Sequence, residues 1–512
     1  MTLLREALLA SLPLVLIWVL MLRYRWSAAR AGLAGYVLTL ALAWGAFGLG
    51  PAGLIVAHGK ALLLSLDVLL IIWAAYGFYR VVDEAGAITD LAHGLARLTA
   101  DRDMQALLLG WAFASFLQSM GGFGVPVAVV APLLVGLGFS PLAAVVIPAV
   151  GHGWAVSFGS LATAFRALEA ASGWPGAEVA PWAAGLLGVA ALGTGWAVAH
   201  AAGGWAAVRR LGLRAGLMAV VMAGVQYALA TAGLWTVAAL GGSLAGGLLG
   251  LALAPRGRAS STDAAPPRVG EAIVGYALLV AVVLVVQFVP AVRSMLSGVV
   301  VSGHFPAVRT AQGFVVPAEA GRRIVLLRHT GARLFYAALL AAVFYAWRGR
   351  YRAGVLGRVL RATVRGTRKA TGGILTMMAL AVVMQHAGMT EALAQGLAAL
   401  AGGAYIWVAP WLGALGAFMT GSNTNANVLF GLLQRRTAEL LALSVPLVLA
   451  AQTAGGAVGS VLAPAKVIVG ASTTRMTGRE GEVMAALARY ILGLLALITL
   501  AAVGLAAWRA GG

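Results

Sequence analysis

Cysteine is absent from all 512 residues, and acidic side chains number only 16. Without thiols there can be no disulfide, no iron–sulfur cluster and no cysteine nucleophile, although the compartment stays open. Charge of either sign is scarce, at 10% of residues against 61% hydrophobic. A chain with that balance cannot fold as a soluble globule and reads as an all-α polytopic membrane protein. The strict apolar–polar alternation of an outer-membrane barrel is missing too, because runs such as Ala61–Val82 and Tyr276–Val289 are continuously apolar. Helices are then the spanning element. There is no HExxH metal site and no pair of neighbouring acids on a span, which leaves a polytopic membrane enzyme as the weaker, different-class alternative. No metal and no cofactor is expected.

Lysine and arginine outnumber the acids 36 to 16, giving a net charge of +20. In a soluble protein that excess would suggest nucleic acid. No aromatic-interleaved basic module accompanies it here, and the arginines gather between apolar runs, as the positive-inside rule requires. Runs of spanning length fall at Leu8–Leu22, Ala31–Leu49, Ala61–Val82, Pro141–Ala167, Pro181–Ala207, Ala215–Leu234, Trp235–Ala254, Glu271–Val289, Thr330–Tyr345, Thr371–His386, Leu440–Ala465 and Tyr490–Trp508. That is about twelve transmembrane helices. The first run follows a single arginine, Arg5, with no convincing cleavage site behind it, and is read as a retained span. Two further stretches, 105–139 and 404–433, carry a polar or Gly-Pro interruption and are expected to be re-entrant hairpins. The basic segments Arg23–Arg30, Arg209–Arg214, Arg256–Arg268 and Arg348–Lys369 all fall on the cytoplasmic side of this count. One loop disagrees, since Ala291–His329 carries Arg293, Arg309, Arg322, Arg323 and Arg328 yet falls outside. Either a half-helix hides there or it is a basic vestibule that draws in anions.

Two windows about 300 residues apart repeat one pattern. Ala85–Leu98 (AGAITDLAHGLARL) and Ala387–Leu400 (AGMTEALAQGLAAL) match at eight positions, and each precedes a hairpin and then a span broken by glycines. Walking the charges gives the two copies opposite directions through the bilayer. Inverted repeats with discontinuous helices mark secondary transporters, because two related halves around a midplane site give two near-equivalent states open to opposite faces. The chain then divides into N-terminal spans 1–60, a first transport repeat 61–210, connecting spans 211–370 and a second, inverted repeat 371–512.

Candidate chemistry sits where the copies differ. The first hairpin is interrupted by Gln118-Ser119-Met120-Gly121-Gly122-Phe123-Gly124-Val125-Pro126, the second by Thr420-Gly421-Ser422-Asn423-Thr424-Asn425-Ala426-Asn427. Half-helix N–H groups with Ser, Thr and Asn side chains make an uncharged cradle suited to a carboxylate. Ser157 and the pair Gln452-Thr453, in the broken partner spans, complete the expected substrate-binding set. For coupling, His152 can relay a proton or serve only as a structural hydrogen-bond donor. Asp67, mid-span in the third helix, can carry a proton if buried, or simply pair with Lys60 or an arginine. Lys466 either attracts the substrate or snorkels to the interface. The charges at Asp83, Glu84, Asp90, Arg97, Asp101, Arg102 and Asp103 read as a solvated face.

At the hairpins the sequence resembles the lactate permease family of bacterial monocarboxylate transporters. The resemblance is carried by Phe123–Ala128, Leu133–Leu142, Val156-Ser157-Phe158-Gly159 and Thr420–Phe430 ending in Leu433-Gln434, with the spacing of spans matching along nearly the whole chain. It implies uptake of L-lactate or glycolate with a coupling proton across the bacterial inner membrane. The Ser422-Asn423-Thr424 triplet also looks like the carboxylate and sodium motif of the divalent anion symporters, an analogy that supports a hairpin-tip site. This chain departs from the family's pattern in having Gln118 where a glutamate is usual and Asn423 where many members have aspartate. An amide keeps size and hydrogen bonding but cannot carry the proton. Coupling then falls to Asp67 or His152, or else sodium coupling or exchange of another small organic anion replaces it. A single carboxylate beside a hydroxyl suits an amide-rich site, whereas di- and tricarboxylates would need buried cations that the sequence does not reveal. Oligomeric state stays open, a homo-oligomer included.

Overall fold

The computed structural model describes every residue except 1, 25, 27, 97, 98, 123, 256–266, 322, 475, 477, 478 and 512. Among the described residues eight helices are long and apolar enough to cross a membrane, and the bent pair Pro141–Ala155 and Gly159–Ser172, which turns by 49° at its break, makes a ninth. The protein is a multi-pass helical membrane protein. Helices also cover the expected runs at Thr2–Leu22, Ala28–Gly45 and Val355–His386. The helix Gly176–Thr231 has 56 residues, with non-helical backbone at Gly203 and Gly204. At 1.5 Å per residue that is about 84 Å, far more than one crossing, so the two glycines separate two lengths of helix.

The same order of elements occurs twice. Pro51–Glu84 is followed by the short amphipathic helix Ala87–Ala96, the hairpin arms Arg102–Met120 and Val125–Gly136, and the broken pair 141–155 and 159–172. Val355–His386 is followed by Met389–Ala401, the arms Tyr405–Thr420 and Asn423–Leu440, and Val445–Gly459 running on after a short turn into Pro464–Thr473, so this span is not bent like its counterpart and the expected break at 452–456 lies within a continuous helix. The first hairpin is therefore shifted a few residues toward the N-terminus of the expected 105–139, and the second runs several residues past 433. The repeated Ala-Gly at the head of each window has a local cause. Ala85 and Ala387 close their helices, and Gly86 and Gly388 follow at φ +70° and +81°. That left-handed turn is cheap only for glycine, and it swings the chain into the amphipathic helix.

Small residues let the hairpin arms press against the spans that follow them. A side chain on Gly413 would strike the carbonyl oxygen of Gln452, and one on Gly455 would strike that of Pro410. In the first half Gly151 lies equally close to the carbonyl of Gly110. Backbone contact of this kind is how helices associate where water supplies no drive.

Among its described residues the loop 291–329 holds no helix long enough to be a half-span. After Pro290–Met295 the chain forms an antiparallel ribbon, with Val300 opposite Val325, His304 opposite Ala320 and Val308 opposite Val316. Its tip is tied down by Ala311 N–H donating to the Gly48 carbonyl at 2.8 Å, and Phe314 covers Gly388. Lys60 pairs with Glu319 of the ribbon and donates to Gln385 at 3.2 Å. Lys60 is thus occupied by the ribbon and not by Asp67. At the other end of these helices the basic segment after Trp347 folds onto acids. Arg350 pairs with Asp90 and donates to the Ala85 carbonyl at 2.9 Å, while Arg358 meets Glu84 at 2.9 Å. Glu84 and Asp90 are therefore partnered across the fold, not merely solvated, while Asp83 pairs with Arg80 of its own helix.

Candidate functional site: a buried amide cluster between two hairpins

Asn423 opens the second arm of the second hairpin, where Gly421 at φ +73° ends the first arm and the Ser422 hydroxyl caps the new helix by accepting from Asn425 N–H at 3.4 Å. Asn427 lies one turn further along, so both amides project from one helix face. They meet Thr453 in the middle of Val445–Gly459 and Ser157 in the break of the first half's span. Asn427 Nδ2 donates to Thr453 Oγ1 at 2.8 Å and to the Ala164 carbonyl at 2.9 Å. Asn423 Nδ2 reaches Ser157 Oγ at 3.1 Å, the Thr453 carbonyl at 3.2 Å and Thr453 Oγ1 at 3.3 Å. Ser157 Oγ donates to the Thr453 carbonyl at 2.9 Å. Residues 296 positions apart thus share one network, and Ser157, Asn427 and Thr453 are 0% exposed.

The direction of these bonds matters for chemistry. Both amide NH₂ groups are spent on protein acceptors, while Asn423 Oδ1 and Asn427 Oδ1 are buried and accept nothing among the described residues. A buried, unsatisfied acceptor costs about 1–3 kcal/mol. The cluster therefore offers acceptor oxygens to an incoming hydroxyl, proton donor or hard cation, and the first N–H groups of helix 423–440 to an anion.

Gln452 adjoins the cluster but faces elsewhere. Its Oε1 accepts from Gln434 at 2.7 Å, and Gln434 in turn accepts from the Tyr405 hydroxyl at 2.8 Å. Asn425 lies against Gly373 of helix 355–386, and Thr424 is buried beside it in sequence. In the first hairpin Gly121, Gly122 (φ +55°) and Gly124 (φ +89°) make the turn, and Phe123 lies outside the described residues. Gln118 is buried against Gly159, and Gly122 against Ser160, so this tip abuts the same broken span one turn from Ser157. There the backbone is strained. Ser160, Leu161 and Ala162 hold φ of 45°, 58° and 64°. For residues with a Cβ this costs about 1–2 kcal/mol each. Sequence reading placed a break here, but nothing in three ordinary residue types announces three left-handed ones in a row.

His152, Lys466 and Asp67 make hydrogen bonds to groups outside the cluster. His152 Nδ1 donates to the Pro148 carbonyl of its own helix at 2.7 Å. Lys466 is buried and donates to Ser460 Oγ at 3.0 Å, so it does not snorkel. Asp67 is 3% exposed and its Oδ1 meets His329 Nε2 at 2.9 Å. One partner is thus a histidine, while Lys60 is spent on the ribbon and on Gln385. His329 also caps helix Thr330–Trp347, accepting on Nδ1 from Gly331 N–H at 3.2 Å. Since Nδ1 accepts, the proton sits on Nε2 and points at the carboxylate. The sequence reading did not single out His329, although a histidine just ahead of an apolar run is in cap position. Nor did it find cations inside the fold, and the structure supplies them. Arg166, two residues past Ala164, is partly buried, pairs with Glu169 at 3.1 Å and stacks on Trp235 at 4.3 Å. Arg333 donates to Gln287 at 3.2 Å.

The family model for L-lactate permease matches residues 6–507. The chain belongs to the L-lactate permease family. It is 27% identical to the L-lactate permease of Bacillus subtilis, over 97% of this chain and 95% of that protein. It is 26% identical to the glycolate permease GlcA of Escherichia coli, again over 97% and 95%. Among solved structures, the YdaH transporter of Alcanivorax borkumensis superposes with a TM-score of 0.51 at 15% identity, covering 88% of this chain and 86% of that one. At that identity the likeness concerns the fold alone. As an L-lactate permease family member the chain is a membrane transporter of a small organic anion and not an enzyme.

Proposed function

We propose that the chain takes up 2-hydroxymonocarboxylates of the L-lactate and glycolate type across the bacterial inner membrane by proton symport and alternating access. The observation that carries this reading is the sealed network of Ser157, Asn423, Asn427 and Thr453, contributed by both halves and surrounded by apolar helix. Polar density at that depth has a price in lipid that packing alone does not require. The carboxylate would sit at the N–H groups opening helix 423–440, and the 2-hydroxyl would donate to Asn423 Oδ1 or Asn427 Oδ1, satisfying an acceptor that now has no partner. The recurrence of one element order in two halves supports an inverted repeat, in which the hairpins open the network alternately to each side. Asp67, joined to His329, is the proton carrier on this reading, since Gln118 and Asn423 cannot titrate.

The bare amide oxygens also favour one rival. Hard oxygen ligands suit sodium, so the same network can serve a sodium-coupled carrier of another organic anion. Uptake of labelled L-lactate into proteoliposomes, driven by an imposed pH gradient or an imposed sodium gradient, separates the two. Accumulation with the pH gradient alone is expected, and a requirement for sodium would replace the proton. Failure to move any monocarboxylate would sink the proposal.

A further inference from the structure

A cavity at the start of helix 330–347 has none of the amide-cluster residues in its lining and has a different electrostatic character. It measures about 170 Å³ and is lined by Asp67, Arg166, Arg323, Arg328, His329 and Arg333, with short stretches of the ribbon's end. Four guanidinium groups thus line it beside one carboxylate, and among the described residues a further acid, Glu169, pairs with Arg166. Asp67 is already engaged with His329. Even with Glu169 counted, four positive charges meet two negative ones in a partly enclosed space, an excess that is costly unless an anion enters.

Three further observations point the same way. The Nε atoms of Arg166 and Arg328 are buried and donate to nothing among the described residues, so charge-assisted donors remain unspent beside the cavity. Helix Thr330–Trp347 begins at its wall, with His329 as cap, which turns the positive end of an 18-residue helix dipole toward it. The volume equals that of about five or six waters, enough for a small carboxylate and too little for a large one. Arg166 also ties the cavity to the amide cluster, because Ala164, two residues earlier, accepts from Asn427.

We propose that this cavity is a second anion site, which takes the carboxylate of a small monocarboxylate between solvent and the buried amide cluster. Arg166 and Arg328 supply the principal donors, and Arg323, on the exposed ribbon, steers the anion in. The choice of a monocarboxylate rests on the transport reading above. The basic character of loop 291–329 thus has a destination, namely the start of helix 330–347.

Equilibrium binding of labelled L-lactate to purified full-length protein, together with initial uptake rates in proteoliposomes, tests the site. Wild type is expected to bind two equivalents, Asn423→Ala one, and Arg328→Gln one. Arg328→Gln and the milder Arg323→Gln should raise the KM for uptake, by about tenfold and a few fold, with maximal rate largely kept. Arg323 is exposed, so its variant keeps the test valid if Arg328→Gln fails to fold. A single equivalent on wild type, with KM unchanged in Arg323→Gln, overturns the second site while leaving transport intact. Binding that Arg328→Gln abolishes in a wild type that carries no monocarboxylate keeps the anion site and overturns the transport reading instead.

Discussion

Replacing Thr453 with valine removes the one hydroxyl that three side chains share, at nearly constant volume. Thr453 Oγ1 is 2.8 Å from Asn427 Nδ2, 3.0 Å from Ser157 Oγ and 3.3 Å from Asn423 Nδ2. The cost depends on whether those donors are left bare. They are not: Asn427 keeps the Ala164 carbonyl, Asn423 keeps Ser157 Oγ and the Thr453 carbonyl, and Ser157 keeps that same carbonyl. The penalty is then that of lost bonds and not of orphaned buried groups. At about 0.6 kcal/mol per interhelical bond in a membrane, two good bonds and one long one give about 1–2 kcal/mol of stability. If substrate binds through the same atoms, a comparable loss appears in affinity, a rise in KM of about 5- to 30-fold. Thr453→Ser, which keeps the hydroxyl, should stay within about threefold of wild type. Uptake kinetics of L-lactate in proteoliposomes, with unfolding midpoints in detergent measured alongside, provide both numbers. Unchanged KM in Thr453→Val, with the expected loss of stability, would show that the network holds helices together and does not touch substrate.

Other perturbations follow from the structure. Asn423→Ala should abolish L-lactate uptake while leaving membrane insertion normal by immunoblot; wild-type kinetics would remove the second hairpin from the site. Asp67→Asn keeps an oxygen for His329 Nε2–H, so it should fold, support lactate–lactate exchange and lose accumulation driven by a pH gradient; full accumulation would clear Asp67 of coupling. Gly455→Ala should cost about 1–3 kcal/mol because its Cβ would press on the Pro410 carbonyl, whereas Gly185→Ala, with open space around it, should be neutral or stabilising, both read as thermal unfolding in detergent. Gly86→Ala should cost about 1–2 kcal/mol from its positive φ alone. Gly388→Ala should cost more, because its Cβ would also stand 2.9 Å from the Phe314 ring; equal effects would argue against the ribbon's seat there.

Much of the fold was legible because a bilayer imposes simple rules. Most of each expected apolar run lies in helix, since backbone groups in hydrocarbon must be paired within the segment, though Leu440–Ala465 crosses the break between two helices. The interruptions at Gly121–Gly124 and Gly421–Asn423 were legible as helix breaks, because glycine and a capping serine carry their conformational meaning locally. The repeated Ala-Gly was visible as a pattern, and its meaning as a helix stop followed by a left-handed turn needed the backbone angles.

What sequence could not supply is which side chains share a space. Composition, periodicity and the polar content of the hairpin tips are properties of neighbours along the chain, and they determined a polytopic helical protein with Ser157, Asn423, Asn427 and Thr453 as site candidates. Only the tertiary structure decided that these four form one sealed network, that Gln452, Asn425 and His152 face elsewhere, and that Asp67 meets His329. It alone gathered Arg166, Arg328 and Arg333 around a single cavity. The physical reason is that hydrogen bonds and ion pairs reach only about 3–4 Å, so the chemistry of a site made from segments nearly 300 residues apart exists only once helix packing has brought them together.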